Sequence, residues 1–156
     1  MLLEIRLMNE NDIDQVMDRL LRLKRLNAEF DKSFLVSVES EDEIKSYIKK
    51  ILNDENHVLL VADDNGKVAG ILMVDILFRI YYYPKYEARI REFYIMPEYR
   101  NNNLGREMIA KLTEILKGKN INFITAEFPT MNTIAANFYE KLGYHQLVSV
   151  YSMIKK

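Results

Sequence analysis

Apolar residues in the first third of the chain recur at the spacing of amphipathic helices. One stripe is formed by Ile13, Val16, Met17, Leu20 and Leu23, and a second by Ile44, Tyr47, Ile48 and Ile51. Intervals of three and four residues place such side chains on one face, so both segments are predicted to be helical. Asn9 or Asn11 can cap the first helix, and the acidic segment 40–43 can start the second. Residues 4–7 alternate weakly and favour an edge strand, whereas residues 27–38 have no clear period and favour a loop or short helix.

Beyond these helices the period shortens to that of β-strands. Three strands are predicted, over residues 57–62, 67–78 and 87–96. The turn signal Asp63-Asp-Asn-Gly66 joins the first two as a hairpin. A second turn is marked by the tyrosines 81–83 together with Pro84, so the three strands form an antiparallel meander.

The second half of the chain alternates helices and strands. Helices are predicted over residues 104–117 and 132–142, and strands over 121–128 and 147–154. Gly118 and Gly143 follow the helices, where a glycine commonly ends one. The strand–helix–strand crossover predicts that strands 87–96 and 121–128 lie parallel. Because neither a repeat nor a linker interrupts the pattern, we expect residues 1–156 to form one domain, an α/β or α+β sheet covered by helices.

Composition narrows the classes of function without identifying one. The 156 residues suffice for a buried core, and the shares of hydrophobic (49%) and charged (29%) residues are those of a globular protein. The absence of cysteine excludes disulfides, thiolate metal sites and a cysteine nucleophile, and two histidines give little basis for a metal site. The net charge of −1 offers no basic surface for nucleic acid, and no apolar run is long enough to span a membrane. Without a secretory signal at the start, we expect a cytoplasmic enzyme or binding module.

Candidate chemistry is concentrated where the third predicted strand gives way to the next helix. The stretch from Ile95 to Arg106 joins a strand end, a polar loop and a helix start. Unpaired backbone N–H groups and the helix dipole at such a junction suit a pyrophosphate. Gly105 permits close approach of a ligand, and the asparagines 101–103 tolerate a left-handed backbone. Arg100 and Arg106 can bind phosphate oxygens, although the loop alone also fits a solvated helix start with both arginines facing water.

Two motifs, one in this stretch and one further along the chain, give the sequence a family resemblance. Residues 95–100, Ile-Met-Pro-Glu-Tyr-Arg, are followed by Asn103 and Gly105, and the segment 132–144 reads Asn-Thr-Ile-Ala-Ala-Asn-Phe-Tyr-Glu-Lys-Leu-Gly-Tyr. In order and spacing, the pair resembles the cofactor loop Arg/Gln-x-x-Gly-x-Gly/Ala and the later Asn-x-x-Ala-x-x-Phe/Leu-Tyr motif of the GNAT acetyltransferase superfamily. The departure is Asn103, where the family prefers glycine.

The resemblance implies a fold, a reaction and a co-substrate. The GNAT fold has a mixed, mostly antiparallel central sheet of six to seven strands flanked by about four helices. Its members move an acetyl group from acetyl-CoA to a primary amine by direct attack in a ternary complex, without a metal. Homodimers are common among them.

Site residues follow from the resemblance position by position. The cofactor would be bound by Tyr94, Ile95, Arg100, Asn101, Asn102, Asn103, Leu104, Gly105, Arg106, Asn132 and Asn137. A strand N–H near Tyr94 or Ile95 would stabilise the oxyanion. Tyr139 matches the tyrosine that protonates the leaving CoA thiolate; by itself it also fits a half-buried aromatic of the helix.

The general base is left open between two carboxylates. Glu92 shares a strand face with Ile90 and Tyr94 by period-two alternation, and apolar neighbours would raise its pKa. It fits equally well a surface glutamate paired with a neighbouring arginine. Glu127, near the end of the following strand, is the alternative base.

The acceptor and two rival functions complete the expectations. The loop 29–31 and the tyrosines 81–83 would suit a cationic small-molecule or peptide amine, although those tyrosines also fit plain packing or a dimer contact. A catalytically idle acyl-CoA-binding module of the same fold is the main rival. A flavodoxin-like nucleotide-binding regulator is the more distant one, which the antiparallel meander disfavours.

Overall fold

The computed structural model describes residues 3–37, 40–100 and 102–156 as one sheet with four α-helices. The helices are α1 (Ile13–Ala28), α2 (Ser40–Ile51), α3 (Leu104–Gly118) and α4 (Thr133–Lys141). The strands are β1 (Leu3–Leu7), β2 (His57–Asp64), β3 (Lys67–Phe78), β4 (Tyr86–Ile95) and β5 (Ile124–Ala126). Each helix predicted from the sequence is confirmed to within a few residues. None of the described helices is both long and apolar enough to cross a membrane.

The strands lie in the order β1-β2-β3-β4-β5, as the sequence predicts for a meander followed by a crossover. The first four pair antiparallel with their neighbours, whereas β5 runs parallel to β4. The α3 crossover makes this parallel pairing possible. The mixed, mostly antiparallel sheet expected from the resemblance is therefore confirmed.

Helices cover both faces of the sheet and enclose its core. α1 reaches one face, where Lys24 contacts Glu92 of β4. α3 and α4 cover the other face: a methyl-sized group on Gly70 of β3 would lie 3.1 Å from Met108 of α3, and Phe138 of α4 packs against Phe93. The fully buried side chains between these layers include Val16, Ile48, Leu60, Ile71, Leu72, Ile90, Leu104, Met108, Leu112 and Leu116.

A β-bulge in β4 changes which side chains share a face. Met73 pairs with Glu92 and Val74 with Ile90, so Arg91 is an extra residue on β4. Leu72 pairs with Phe93, and Leu72 and Val74 share a face of β3. Ile90 and Phe93 therefore share one face of β4, and Glu92 lies on the other with Tyr94. The prediction that Glu92 shares a face with Ile90 is wrong, because regular alternation does not cross an inserted residue.

The strand count falls short of the prediction at the C-terminus. The described residues form five strands instead of six to seven, and β5 has three residues where residues 121–128 were predicted. Residues 147–154, predicted as a final strand, have no strand partner among the described residues. Their apolar side chains are more than half exposed. The segment has the composition of a strand, but the described part of the chain offers it no neighbouring strand.

Candidate acetyl-CoA cleft

A cleft opens where β4 and β5 separate. The two strands pair only at Ala88 with Ile124, Arg89 with Thr125 and Ile90 with Ala126. The last bond between them runs from Glu127 N to the Ile90 carbonyl at 3.1 Å. Beyond this bond β4 continues to Ile95 with no strand on its outer side among the described residues. Residues 93–95 of β4 therefore have a free edge on the side where β5 diverges.

The backbone groups that line the cleft belong to Phe93 and Ile95. Met96 N donates to the Ala69 carbonyl at 2.9 Å, and Tyr94 is in register with Ile71 of the same strand. Because hydrogen-bonding direction alternates along an antiparallel strand, Tyr94, like Met96, directs its N–H toward β3. Phe93 and Ile95 direct theirs into the cleft. The sequence suggested the N–H of Tyr94 or Ile95 as the group that stabilises the oxyanion. The N–H of Ile95 lines the cleft, whereas that of Tyr94 points toward β3.

Arg100 folds back toward this cleft edge. Its Nε donates to the Ile95 carbonyl at 2.8 Å, and its guanidinium lies 5.3 Å from the centre of the Tyr94 ring. Tyr94 itself is buried, and its ring packs against the guanidinium of Arg100. The Ile95 carbonyl is therefore occupied, whereas the Ile95 N–H, on the same side of the strand, stays available to a ligand.

The N-terminus of α3 lacks a side-chain cap. Asn103 precedes the helix with φ 64° and ψ 8°, and its side chain makes no capping hydrogen bond. The first i→i−4 bond runs from Glu107 N to the Asn103 carbonyl at 3.2 Å, so the N–H groups of Leu104, Gly105 and Arg106 have no partner inside the helix. By contrast, Asn132 caps α4 by accepting from Ala135 N at 3.1 Å. The left-handed backbone expected of the loop asparagines is confirmed at Asn103.

Gly105, which the sequence suggested for close approach of a ligand, also packs closely against neighbouring side chains. A Cβ at this position would lie 3.2 Å and 3.3 Å from two ring carbons of Phe138 in α4, and 3.5 Å from Ile95 Cδ1. Helix α3 therefore approaches α4 and β4 as closely as a glycine allows. Sequence reasoning assigned this residue to ligand approach alone and missed its packing role.

The remaining loop residues face solvent. Asn102, Arg106 and Arg100 are exposed. Among the described residues no carboxylate pairs with Arg106, so its guanidinium is available for a phosphate. Asn101 lies outside the described residues.

Tyr139 is buried in an aromatic cluster at the base of the cleft. Its ring stacks on Phe128 at 5.5 Å with an interplanar angle of 8°, and it meets Phe138 and Tyr144 edge-on at 5.2 Å each. Burial, with a smaller contribution from Tyr144, raises the pKa of Tyr139 well above its ordinary value. The phenol is therefore protonated at neutral pH, and its hydroxyl has no hydrogen-bond partner in the described parts of the chain.

The two asparagines predicted on α4 differ in setting. Asn132 is half-buried and is committed to its capping bond with Ala135 N. Its two amide protons are still free to donate. Asn137 is exposed, two residues before Tyr139 in the same helix.

Glu92 lies on the opposite face of β4 and pairs with Lys24, a partner the sequence did not suggest. Lys24 Nζ donates a hydrogen bond to Oε1 and also contacts Oε2, which is buried without a hydrogen bond of its own. Burial raises the pKa of Glu92 above its ordinary value, and the lysine only partly offsets this effect. The sequence suggested a neighbouring arginine as the alternative role for Glu92. In the structure its partner is instead Lys24 of α1.

Glu127 is the more exposed of the two candidate bases. It lies 3.3 Å from Arg91 Nε and 3.9 Å from Arg89 Nη1, with half of its side chain exposed. Arg91 also pairs with Asp75 of β3 at 3.6 Å. Glu127 therefore belongs to a solvated network of charges, in contrast to the buried Glu92.

The tyrosines suggested for acceptor binding are at the tip of the β3–β4 hairpin. Tyr81, Tyr82 and Tyr83 are 86%, 60% and 92% exposed, and Arg79 lies over the Tyr82 ring at 4.9 Å. In the loop 29–31, Asp31 accepts from Ser33 N at 2.8 Å and caps the short 3-10 helix that follows α1. Among the described residues no cluster of His, Asp and Glu could hold a metal ion.

Comparison with known proteins gives one family. The family model described as "Acetyltransferase (GNAT) family" matches residues 23–144. An "Uncharacterized N-acetyltransferase" of Methanocaldococcus jannaschii is 22% identical over 142 residues, which cover 91% of this chain and 60% of that protein. The chain thus spans about 60% of the length of this curated relative.

Solved structures share the fold. A transcriptional regulator from Bacillus halodurans superposes with a TM-score of 0.80 at 22% identity, covering 99% of this chain and all of the other. The aminoglycoside N-acetyltransferase AAC(6')-Iy, solved in complex with CoA, gives 0.80 at 15% identity, with 99% and 95% covered. At these identities the likeness concerns the fold alone, which carries different functions in different proteins.

Proposed function

Because the chain belongs to the acetyltransferase (GNAT) family, we propose that it transfers an acetyl group from acetyl-CoA to a primary amine by direct attack in a ternary complex. One observation carries the proposal: the free edge of β4 leads directly to the uncapped N-terminus of α3. A strand edge can bind an extended amide chain such as pantetheine, and a helix N-terminus can bind a pyrophosphate. The two features adjoin in the order in which these groups follow each other in CoA.

The phosphate end would be bound by the start of α3. The N–H groups of Leu104, Gly105 and Arg106 point out of the helix, and the helix dipole adds positive potential there. Arg106 can donate to a phosphate oxygen, and Arg100 can do so with the donors that the Ile95 carbonyl does not use. Asn103 has a left-handed backbone at this point, and its side chain makes no capping hydrogen bond to these amides.

The thioester end would lie between Ile95 and Tyr139. Acetyl-CoA supplies an activated acetyl group, whose carbonyl oxygen gains negative charge during attack by the amine. The Ile95 N–H, directed into the cleft, can stabilise that charge. Tyr139 can donate its proton to the departing sulfur, because burial keeps the phenol protonated. Asn132 and Asn137 of α4 would add amide donors for the coenzyme.

The amine side would lie across β4, where Glu92 faces α1. An amine arrives as an ammonium and must lose a proton before it attacks. The raised pKa of Glu92 suits a base that accepts this proton, directly or through water. Lys24 occupies the carboxylate in the structure, so an incoming ammonium would compete with it for the same two oxygens.

The acceptor would be a small molecule or a peptide with a primary amine. AAC(6')-Iy has also been solved with a bisubstrate analogue that joins CoA to an acetylneamine, so this fold can present an amino sugar to the coenzyme. Exposed aromatic rings at the hairpin tip offer a further surface for a cation. A cytoplasmic location and the absence of nucleic-acid or membrane partners remain predictions from the sequence.

A second candidate function is an acyl-CoA-binding module without turnover. The contact between Lys24 and Glu92 favours it, since a base that already holds a cation is not free to accept a proton. The mostly antiparallel sheet, in contrast, excludes the flavodoxin-like regulator, which needs a parallel one.

Calorimetry with acetyl-CoA, followed by a thiol-release assay over a panel of amines, tests the proposal. The panel should include polyamines, aminoglycosides and peptide N-termini, with a reaction lacking amine to subtract hydrolysis. Arg106→Glu should weaken binding at least about tenfold through loss of a charge-assisted contact; Lys119→Glu, just past the other end of α3, is the matched control. Failure to bind the coenzyme would refute the cleft, whereas binding without release for any amine would favour the second candidate.

A further inference from the structure

Lys24 is a primary amine that already contacts the candidate general base. Its Nζ donates to Oε1 of Glu92 and also lies against Oε2, a buried oxygen with no hydrogen bond of its own. In the proposed reaction, the ammonium of an acceptor would have to reach the same two oxygens. The side chain of Lys24 therefore brings to the base the same chemical group that an acceptor would bring.

The two partners differ in how deeply they are buried. The side chain of Glu92 is 16% exposed, whereas that of Lys24 is 42% exposed. Lysine carries its charge on a flexible four-carbon stem, so a side chain with this much exposure can change its position while its backbone stays in α1. Lys24 can therefore move from the carboxylate toward a neighbouring ligand.

Glu92 lies where β4 first has a free edge. The last bond between β4 and the segment beside it runs from Glu127 N to the Ile90 carbonyl, and no strand among the described residues follows on that side. Phe93, the next residue, packs on the opposite face against the helix that carries Tyr139. Since a strand rises only about 3.3 Å per residue, the base and the helix of the acid meet β4 at nearly the same level. An amine at Glu92 can thus reach a thioester at the free edge without passing through the sheet.

We propose that Lys24 is itself an acceptor, so that the protein acetylates this lysine in its own cleft; the inference rests on the acetyl transfer proposed above. The ammonium of Lys24 gives one proton to Glu92, and its nitrogen then attacks the acetyl carbon of acetyl-CoA. A C–N bond forms and the C–S bond breaks. Of the two protons that the nitrogen loses, one ends on the CoA sulfur by way of Tyr139, and the other passes from Glu92 to water. The products are Nε-acetyllysine and free CoA.

The modification would occur once in each chain at this site. The product amide has no ammonium left to react, and acetylation removes the positive charge of the lysine. Glu92 would then lose the ion pair that joins β4 to α1. A stoichiometry of one acetyl group at Lys24 is therefore part of the inference.

Mass spectrometry of the complete chain after incubation with acetyl-CoA provides the test. A deuterated acetyl group distinguishes the new modification from any acquired before purification. Lys24 should be labelled at least about 100-fold faster than Lys45, which is the contribution typical of a positioned base. Lys45 is the matched internal control, because its side chain is 39% exposed and also pairs with one carboxylate, that of Asp14.

Two variants and a dilution series identify the origin of the label. Glu92→Gln keeps the shape of the side chain but loses the base, so it should slow labelling of Lys24 by about 100-fold and leave that of Lys45 unchanged. Lys24→Arg keeps a cation beside Glu92 but has no amine to acetylate, so the fast phase of labelling should disappear. In the wild type the rate constant should not change on dilution of the protein, because the lysine and the cleft belong to one chain.

Three outcomes would overturn this inference. Equal labelling of Lys24 and Lys45 in the wild type would mean that acetyl-CoA reacts with both lysines in solution. A rate constant that rises with protein concentration would mean that one chain acetylates another. Acetylation of added amines without label on Lys24 would leave the proposed function standing and make Lys24 only the counter-ion of Glu92.

The opposite result separates the two proposals as well. Label on Lys24 without turnover of any added amine would support the inference and reject the acceptors of the panel. Failure to bind acetyl-CoA in calorimetry would overturn the inference together with the cleft on which it rests.

Discussion

Lys24 of α1 contacts both carboxylate oxygens of Glu92 in β4, and this pair connects the first helix to the half of β4 that lines the cleft. Two opposing effects act on the glutamate. Burial raises its pKa and is the larger effect, and the ammonium lowers it. Burial therefore disfavours the charged form of this carboxylate, and Lys24 favours it.

Replacing Glu92 by Gln should change the pH dependence of stability. Because the folded-state pKa is raised, the wild-type protein gains stability below the pKa of the unfolded chain and loses it as the pH rises through the folded value. Glu92→Gln removes this loss, so the free energy of unfolding of the variant should rise relative to the wild type over that interval. Urea unfolding between pH 4 and about 8 measures the difference.

Glu98→Gln is the matched control with the opposite sign. A backbone N–H and Lys67 hold the pKa of Glu98 below its ordinary value, so its contribution is present above the unfolded pKa and lost as the pH falls. This variant should therefore be less stable than the wild type at neutral pH, by a small amount because the side chain is exposed. Parallel curves for both variants would refute the assignment of a raised pKa to Glu92.

Lys24→Met should move the pH–rate profile if Glu92 is the base. Removing the cation leaves the effect of burial opposed only by the smaller effect of Arg91, so the pKa of Glu92 should rise and the inflection of kcat/KM should shift to higher pH. Steady-state rates across the pH range give the inflection. Lys45→Met, which removes a lysine paired with the exposed Asp14, should leave it in place. An unchanged inflection in Lys24→Met would transfer the role to Glu127 or to water.

Tyr139→Phe should reduce turnover and leave the fold intact. The variant loses a proton donor, which typically contributes roughly 100-fold or more to the rate. Its hydroxyl makes no hydrogen bond among the described residues, so the free energy of unfolding should change by less than about 0.5 kcal/mol. Tyr144→Phe, in the same aromatic cluster, is the control and should keep its rate. Equal kcat values for the two variants would remove Tyr139 as the acid.

Gly105→Ala and Gly118→Ala should change stability in opposite directions. At Gly105 the new methyl group must displace the Phe138 ring by a few tenths of an ångström, and such overpacking costs about 1–3 kcal/mol. At Gly118, in the last turn of the same helix, nothing lies within 4 Å, so alanine should stabilise by about 0.4–1 kcal/mol. Thermal unfolding without coenzyme measures both, and equal effects would contradict the close approach of α3 to α4.

Asn103→Ala should destabilise the loop more than Asn103→Gly. The residue has φ 64°, where alanine pays about 1–2 kcal/mol and glycine pays nothing sterically. Because the Asn103 side chain makes no capping bond, its removal alone has no cost in hydrogen bonding. Chemical denaturation of the two variants tests this order, and a reversed order would mean that the side chain stabilises the loop through another contact.

Sequence predicted the elements better than their edges. Helical periodicity identified α1 and α3 because each buries one continuous stripe, and the Asp63–Gly66 turn fixed the hairpin of β2 and β3. The bulge at Arg91 could not be predicted, since an inserted residue is specified by the pairing of two strands and has no signature in one. The strand predicted at residues 147–154 has a related cause: its composition favours a strand, but a strand also needs a neighbour to pair with, which the pattern of a single segment does not specify.

Site chemistry was predictable only where it depends on local backbone. The αL position of Asn103 and the capping by Asn132 follow from what asparagine does at a helix start, and both are present. The contact between Lys24 and Glu92 joins residues 68 positions apart. The close approach of Phe138 to Gly105 joins helix α4 to helix α3. Such contacts arise from tertiary packing, for which no local pattern of residues is a signal.

The extra residue at Arg91 also sets what kinds of mutation this strand can accept. It divides β4 into two runs of opposite parity, so that Phe93 packs beneath α4 while Glu92 faces α1. Deletion of Arg91 would remove only the extra residue, because Ile90, Glu92 and Phe93 would then pair in regular register with Val74, Met73 and Leu72 on the faces they already occupy. Deletion of a regularly paired residue of β4 such as Phe93 would instead turn every later side chain of the strand to the opposite face. The bulge is therefore the one position of β4 at which a codon could be lost without exchanging the side chains that face α1 for those that face α4.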